Sequence, residues 1–243
     1  MDLLLTDYNY DDYFFMACLA CNAKRYHEAF PVLLAIMDHE VNYNEVLIDL
    51  IQICFKNIIT PLRESWILLN TIKNDLMSSQ PNKLDVNAMR KEIEDSLRRY
   101  LSYKERIDIK IQYSIGLDDS TYVLLKRLKA DFCRYSHELS GDKEQSNELY
   151  EAEEAYEQVY NFVIKHFKPI SEEVLSTALN YSVFIDQYLK DKSKALDLAT
   201  SCYISAQNYL ARYDLEIKHK AAKLLRLLQK NMEVWQRVTE DHN

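Results

Sequence analysis

The chain of 243 residues carries a formal net charge of -8, which argues against DNA or an anionic membrane as its partner because both require an extended basic face. No apolar run approaches the roughly 20 residues that cross a bilayer, so we expect neither a nucleic-acid partner nor a membrane partner. Only 2 glycines and 4 prolines occur, and this scarcity of turn-forming residues favours long helices.

Nine helical stretches are predicted, and no segment shows the sustained apolar–polar alternation of a strand. In chain order they cover residues 10–22, 25–39, 44–77, 84–113, 118–139, 144–167, 171–189, 193–211 and 215–237. Gly141 is expected to end the fifth stretch in a left-handed conformation, and Ser171 is expected to cap the start of the seventh. Because the connections are short, consecutive helices should pack antiparallel in an all-α fold.

The third and fifth stretches carry four groups of the kind that bind oxyanions. Lys56 and Arg63 are seven residues apart, about two helical turns, and therefore share one face. Arg134 directly precedes Tyr135. A guanidinium offers paired planar donors, an ammonium a compact charge, and a phenol one further donor. A phosphate monoester matches this set, since it has three acceptor oxygens and roughly -1.5 to -2 charges at neutral pH.

The fifth stretch also carries a charged stripe, in which Arg127, Asp131, Arg134 and Glu138 follow at i, i+4, i+7 and i+11. This spacing by itself favours a solvated face whose charges pair with one another. The alternative is that the stripe belongs to a binding site, where Asp131 would orient the basic groups beside it.

The seventh and ninth stretches each place one amide within an apolar face. Asn180 lies beside Leu179 and Val183. In the last stretch, Asn231 interrupts an apolar stripe made of Leu224, Leu227, Leu228, Val234 and Trp235. Two interpretations are open: the amides are core side chains satisfied by a neighbouring backbone, or they hold the main chain of an extended peptide.

No constellation with catalytic or metal-binding spacing is present. Cys18 and Cys21 have Cys-x-x-Cys spacing, but they lie inside a helical pattern without a preceding strand, which favours a structural role. Five cysteines are an odd number for a chain of this size, which favours reduced thiols in the cytosol. Without a spaced histidine pair, a glycine-rich phosphate loop or a nucleophile motif, we predict no catalytic residue, metal or cofactor.

Four segments resemble helices of the 14-3-3 family. They are FKNIITPLRESWILLNTI at 55–72, LKADFCRYSHELSGD at 128–142, LNYSVFIDQYL at 179–189 and NMEVW at 231–235, similar to the third, fifth, seventh and ninth helices respectively. The resemblance implies one 14-3-3-like domain over residues 1–243, a concave bundle of nine helices with an amphipathic peptide groove. Residues of about 1–77 would supply the dimerisation helices and the start of the groove, and about 84–237 would form the rest.

The resemblance also implies a non-enzymatic adaptor that captures proteins or peptides phosphorylated on serine or threonine. The implied phosphate-binding residues are Lys56, Arg63, Arg134 and Tyr135, supported by Arg127, Asp131 and Gln187. Asn180 and Asn231 would hold the peptide main chain, and the implied groove wall comprises Leu179, Val183, Lys223, Leu224, Leu227 and Trp235. A cytoplasmic location is expected, with the nucleus as a further compartment.

Several residues depart from the family pattern. Pro61 lies between Lys56 and Arg63 and is expected to kink the third helix. Ile67 stands where the family has a further arginine, and Lys223 replaces a leucine of the wall, which should favour acidic residues in the ligand. These departures keep a helical scaffold without phosphate binding as one alternative, and an enzyme such as a phosphatase as another.

Family members form dimers through their N-terminal helices, and the matching positions here are Leu19, Ala23, Arg25, Glu28, Ser65, Leu69, Ile72, Met89 and Glu92. Glu28 and Glu92 are both acidic where the family has opposite charges, and Ser96 replaces the acidic partner of Arg25. Because like charges across an interface oppose association, we expect a loose homodimer or a second family isoform as the partner.

Overall fold

The computed structural model describes residues 9–39, 45–76, 83–113, 116–141, 146–213 and 219–240, with the backbone alone described at 73–76, 83–85, 219 and 238–240. This part of the chain contains helices and no strand, which confirms the all-α prediction. The helices are α1 Tyr10–Asn22, α2 Tyr26–His39, α3 Glu45–Leu76, α4 Lys83–Leu101, α5 Lys104–Tyr113, α6 Asp119–Leu139, α7 Asn147–His166, α8 Glu172–Phe184, α9 Lys192–Tyr213 and α10 His219–Glu240. A π-helical turn, Ile185–Leu189, continues α8.

The predicted stretch 84–113 is divided into α4 and α5, whereas each of the other eight corresponds to one helix. At the break, the hydroxyl of Ser102 donates to the carbonyl of Arg99 at 2.8 Å, a side-chain bond that competes with the helical ladder. Tyr103 then packs edge-on against Phe30 with ring centroids 5.6 Å apart. The predicted ends at 44, 77, 144–145 and 215–218 lie outside the described residues.

Two of the helices that carry candidate site residues begin with a side-chain cap. Asp118 accepts from the backbone N–H of Thr121 at 2.9 Å at the start of α6, and Ser171 accepts from that of Val174 at 3.3 Å at the start of α8. Gly141, just beyond α6, has a φ of +84°, which confirms the predicted left-handed stop.

The chain divides into two compact units, 1–143 and 144–243. In the first unit, α3 packs against α2, α4 and α6. Its centre is a chain of buried aromatic rings: Phe55 stacks on Phe132 with centroids 4.0 Å apart, and Phe30 follows at 6.3 Å from Phe55. This core fixes α3 against α6 because large rings in contact allow little sliding. The single-domain organisation stays a prediction.

The second unit comprises α7 to α10, and α8 contacts each of the other three helices. Tyr156 on α7 is buried against Tyr181 and Phe184 of α8, with ring centroids 5.7 and 5.0 Å away. Burial raises the pKa of Tyr181 well above its ordinary value, with neighbouring acidic residues adding to the shift. The phenol therefore stays neutral within this core.

Candidate functional site

The packing of α3 against α6 brings the four predicted phosphate-binding residues together within the first unit. The guanidinium carbon of Arg134 lies 4.1 Å from the ring centroid of Tyr135, and that of Arg63 lies 5.8 Å from it. The charge of Lys56 is coupled to those of Asp131 and Arg134. We refer to Lys56, Arg63, Arg134 and Tyr135 as the basic cluster.

Arg63 is held by Glu138, a residue that the sequence analysis placed in the charged stripe but not in the site. Two guanidinium nitrogens of Arg63 donate to the two carboxylate oxygens of Glu138, the Nη2–Oε1 bond measuring 2.8 Å. Such a two-point contact fixes the plane of the guanidinium as well as its position. The position of Glu138 one helical turn after Arg134 was the available signal for this role.

Arg134 is held by Asp131, whose Oδ1 lies 3.0 Å from Nη2 of Arg134. Asp131 is 2% exposed and Arg127 is 7% exposed, so the expectation of a solvated face is wrong. The expected pairing of charges within the stripe is confirmed for Asp131 and Arg134. The Nε of Arg127 is buried and has no hydrogen-bond partner among the described residues. Burial of these charges is costly, which marks the stripe as more than a solubilising surface.

Lys56 differs from the two arginines because no ion pair joins its ammonium to another described residue. Burial lowers the pKa of Lys56, the carboxylate of Asp131 opposes that change, and the charges of Arg127 and Arg134 reinforce it. The ammonium is therefore destabilised by its surroundings. An anion placed beside it would relieve this destabilisation.

Tyr135 provides a neutral donor in the cluster. Burial raises the pKa of Tyr135, although the charge of Arg134 acts in the opposite direction. The phenol therefore remains protonated at neutral pH. Its ring lies 6.0 Å from that of Phe55, so the hydroxyl is carried by the same aromatic core that fixes α3 against α6.

The local charges favour an anion. Lys56, Arg63, Arg127 and Arg134 supply four positive charges, while Asp131, Glu138 and Asp49 supply three negative ones. The remaining excess is positive, and a phosphate monoester is an anion that would offset it.

Pro61 does not interrupt α3, which runs as one helix from Glu45 to Leu76. Pro61 is exposed, so water can reach the carbonyl that loses its helical donor. The hydroxyl of Ser65 donates to the carbonyl of Pro61 at 2.8 Å. Ile67 points to solvent, so this face of α3 has no third cation.

In the second unit, the predicted peptide-binding residues lie on α8 and α10, which contact each other. Asn180 and Asn231 are only partly buried, and neither side chain has a hydrogen-bond partner among the described residues. The described residues therefore do not support the interpretation as satisfied core amides, and a role in peptide binding stays a prediction. The neighbouring Leu179, Val183 and Leu224 are partly buried, while Lys223 and Leu227 are exposed.

The apolar stripe predicted on α10 is divided between two faces. Trp235 is 4% exposed and lies on the inner face with Ala221, Leu225 and Leu228. Leu224, Leu227, Asn231 and Val234 lie on the more exposed face. Trp235 thus belongs to the buried side of α10 rather than to the exposed wall. The helical period is consistent with this, since residue 235 comes two turns after 228 and falls almost in line with it.

Gln187 lies in the π-helical turn after α8, and its side chain is exposed. Its backbone carbonyl accepts a hydrogen bond from Nζ of Lys190 at 2.5 Å. The supporting role of Gln187 stays a prediction.

Several predicted dimer-interface positions expose apolar surface in the first unit. Leu19 is 52% exposed, and Met89 is also exposed, while Leu69 and Ile72 are partly buried. Ala23, Ser65 and Glu92 are exposed as well. The sequence analysis missed Phe15, which is 62% exposed, although its position one helical turn before Leu19 was a signal for it.

The loss of an acidic partner for Arg25 across the dimer interface stays a prediction, but Arg25 has an acidic partner within its own chain. Nε and Nη2 of Arg25 donate to the two carboxylate oxygens of Glu28 at 2.7 and 2.5 Å. The two residues are three positions apart at the start of α2, so local geometry alone allows the contact. Within one protomer each charge therefore neutralises the other, and Glu28 presents less negative charge than expected.

Within the described ranges, no group of histidine, cysteine or acidic side chains is arranged to hold a metal ion. The described helices also include none with the length and apolar character needed to cross a membrane.

Comparison with known proteins gives one consistent result. The family model for "14-3-3 protein" matches residues 16–236. The chicken (Gallus gallus) 14-3-3 protein beta/alpha is 25% identical over 224 residues, which cover 90% of this chain and 90% of that protein. The human (Homo sapiens) protein of the same name is 25% identical over 224 residues, covering 90% and 89%. A 14-3-3 protein homolog of Encephalitozoon cuniculi (strain GB-M1) is 27% identical over 236 residues, covering 93% and 90%.

Proposed function

We propose that this chain, which belongs to the 14-3-3 protein family, captures proteins phosphorylated on serine or threonine through the basic cluster. The family consists of non-enzymatic adaptor proteins, and membership confirms the prediction that the chain is not an enzyme. Binding of the phosphorylated protein is therefore reversible, and its phosphate group undergoes no chemical change.

The observation that carries the proposal is the ammonium of Lys56, which has no ion pair among the described residues and is further destabilised by the charges of Arg127 and Arg134. A bound phosphate would supply the missing counter-charge. Arg134 and Tyr135 are close enough to each other to donate to the same group. Each charge-assisted hydrogen bond contributes about 1.5–3 kcal/mol, so a few supply much of the roughly 8 kcal/mol of a micromolar complex.

We propose that the partly buried face of α8 and α10, within the second unit, holds the main chain of an extended peptide. Asn180 and Asn231 each offer one acceptor and two donor hydrogens, the pattern that an extended backbone requires. Leu224 and Leu227 give the same face an apolar character. Lys223 is exposed beside them, and we propose that it favours acidic residues in the ligand.

The function is tested by titrating the purified chain with a fluorescent phosphoserine peptide and with the same peptide lacking the phosphate. We expect at least a tenfold loss of affinity without the phosphate, because several charge-assisted bonds disappear together. A glutamate peptide serves as a control for simple negative charge. Equal affinity for all three peptides would favour the alternative of a scaffold without phosphate binding. Release of inorganic phosphate would instead revive the phosphatase alternative.

We also propose a cytoplasmic adaptor, with the nucleus as a further location, since all five cysteines are present as free thiols. Cell fractionation followed by detection of the untagged protein would show which of these compartments contain it.

We further propose that the chain forms dimers, with itself or with a second isoform, through the exposed apolar positions of α1, α3 and α4. The Arg25–Glu28 pair reduces the charge of Glu28, so repulsion from Glu92 weakens the homodimer without abolishing it. Glu92→Lys is therefore expected to increase the dimer fraction severalfold at low micromolar concentration in sedimentation experiments. Glu157→Lys, an equal change of charge at an exposed position of α7, should leave that fraction unchanged.

The charge argument for dimer formation fails if both variants shift the equilibrium equally. It also fails if the unmodified chain remains fully dimeric at nanomolar concentration, because repulsion between protomers would then have no measurable effect.

A further inference from the structure

Two cysteines from different helices meet in the first unit. Sγ of Cys21 in the last turn of α1 lies 3.3 Å from Sγ of Cys54 in the middle of α3. The two residues are 33 positions apart, so the contact is a product of the fold and not of local spacing. A disulfide has sulfur atoms about 2 Å apart. Closing the remaining distance requires a shift of about 1 Å.

The two thiols differ in access to solvent. Cys21 is partly exposed, whereas Cys54 is fully buried. Burial raises the pKa of Cys54, and its contact with Cys21 adds to the shift. An oxidant from solution would therefore reach Cys21 first. The buried Cys54 would then react with the oxidised sulfur of Cys21.

Cys18 is the competing partner because it lies one helical turn from Cys21 on α1. Burial raises the pKa of Cys18, with the neighbouring Cys21 as a second cause. However, the sulfur contact joins Cys21 to Cys54 across the interface between α1 and α3. Cys21 is also the residue before the end of α1, where a small movement disturbs few helical hydrogen bonds.

We propose that Cys21 and Cys54 are an oxidative modification site, at which peroxide converts the two thiols into a disulfide that fastens α1 to α3. In the first step the sulfur of Cys21 attacks hydrogen peroxide, the O–O bond breaks, and a sulfenic acid and one water form. In the second step the sulfur of Cys54 attacks that of Cys21. The S–S bond forms as the S–O bond breaks, and the departing hydroxide leaves with the thiol proton as water. The two thiols lose two electrons, and the peroxide is reduced to two waters.

The disulfide would act on the part of the chain that carries the basic cluster. Cys54 is two residues before Lys56 on α3, and α1 carries the exposed Leu19. The crosslink closes a loop of more than 30 residues, which constrains the unfolded chain and stabilises the folded one. We expect the melting temperature of the oxidised protein to rise by about 5 °C or more, and to fall again when the disulfide is reduced.

The test treats the full-length, reduced chain with hydrogen peroxide, unfolds it in denaturant so that N-ethylmaleimide reaches every remaining thiol, and maps crosslinks by tandem mass spectrometry without reduction. We expect two of the 5 thiols to be protected and a crosslink between the peptides of Cys21 and Cys54. A bond between Cys18 and Cys21, a bond between Cys18 and Cys54, or oxygen adducts without any crosslink would overturn the proposal.

Three variants sharpen the assignment. Cys21→Ser and Cys54→Ala should each abolish the loss of two thiols and the rise in melting temperature, whereas Cys18→Ser should retain both. Circular dichroism establishes that the Cys54→Ala protein is folded, since that change empties a buried site. The crosslink map of the unmodified chain decides the matter independently if that variant unfolds.

Discussion

Replacing Lys56 with glutamate is expected to lower the affinity for a phosphoserine peptide at least tenfold. The substitution removes the one cation of the basic cluster that has no ion pair among the described residues, and it places a negative charge beside Asp131. Loss of one charge-assisted hydrogen bond alone costs about 1.5–3 kcal/mol, and each 1.4 kcal/mol is about tenfold in affinity. Repulsion between the new carboxylate and the phosphate adds to that loss.

The comparison uses fluorescence titration of the phosphorylated and unphosphorylated peptides with each variant. Lys165→Glu on α7 is the matched control, since Lys165 is exposed and the net charge changes equally. Lys56→Gln separates loss of the cation from introduced repulsion, and it should be intermediate. If Lys56→Glu and Lys165→Glu weaken binding equally, the effect is one of overall charge and Lys56 does not bind the phosphate.

The two carboxylates of the site explain why the arginines are ready to bind. Glu138 fixes the plane of Arg63, and Asp131 fixes Arg134, so neither long side chain must be ordered when the ligand arrives. Ordering a flexible side chain on binding costs about 0.5–1.5 kcal/mol. The same carboxylates also share the donors that a phosphate would use. The carboxylates therefore have two opposing effects: they order the arginine side chains before a ligand binds, and they occupy N–H groups that a phosphate would otherwise accept from.

Replacing Phe132 with alanine is expected to lower the free energy of unfolding by about 3–5 kcal/mol. Phe132 is fully buried and stacks on Phe55 with centroids 4.0 Å apart. Truncation removes this contact and leaves a cavity between α3 and α6 that the close-packed rings cannot fill. Because Tyr135 rests against the same Phe55, peptide binding should also weaken.

Urea unfolding followed by circular dichroism measures the change in stability. Tyr113→Ala is the control, because Tyr113 is an exposed aromatic residue of α5 in the same unit. Its truncation should change the free energy of unfolding by less than about 0.5 kcal/mol. Equal losses for the two variants would mean that the aromatic core between α3 and α6 does not hold this unit together.

The helices could be predicted from the sequence because their signals are local. Apolar periodicity, the scarcity of glycine and proline, and stops such as Gly141 act within one or two turns. The same local geometry placed Lys56 and Arg63 on one face of α3. The division between α4 and α5 escaped prediction because the packing of Tyr103 on Phe30 joins positions distant in sequence.

Family resemblance brought the basic residues of α3 and α6 into one site, but it did not predict how their charges are balanced. The pair of Arg63 with Glu138 spans 75 positions. The resemblance also led us to look for a partner of Arg25 in a second chain, whereas Arg25 forms an ion pair with Glu28, three residues away in the same chain.

By itself, the sequence determined the all-α class, most of the helix positions and the chemical character of the predicted phosphate-binding groups, because each depends on residue type and short-range period. Only the tertiary structure decided which charges are paired, that Trp235 is buried, and that Cys21 meets Cys54. Burial and long-range contact depend on how helices far apart in the chain pack together. That packing is set by the sum of many weak contacts, which no single motif encodes.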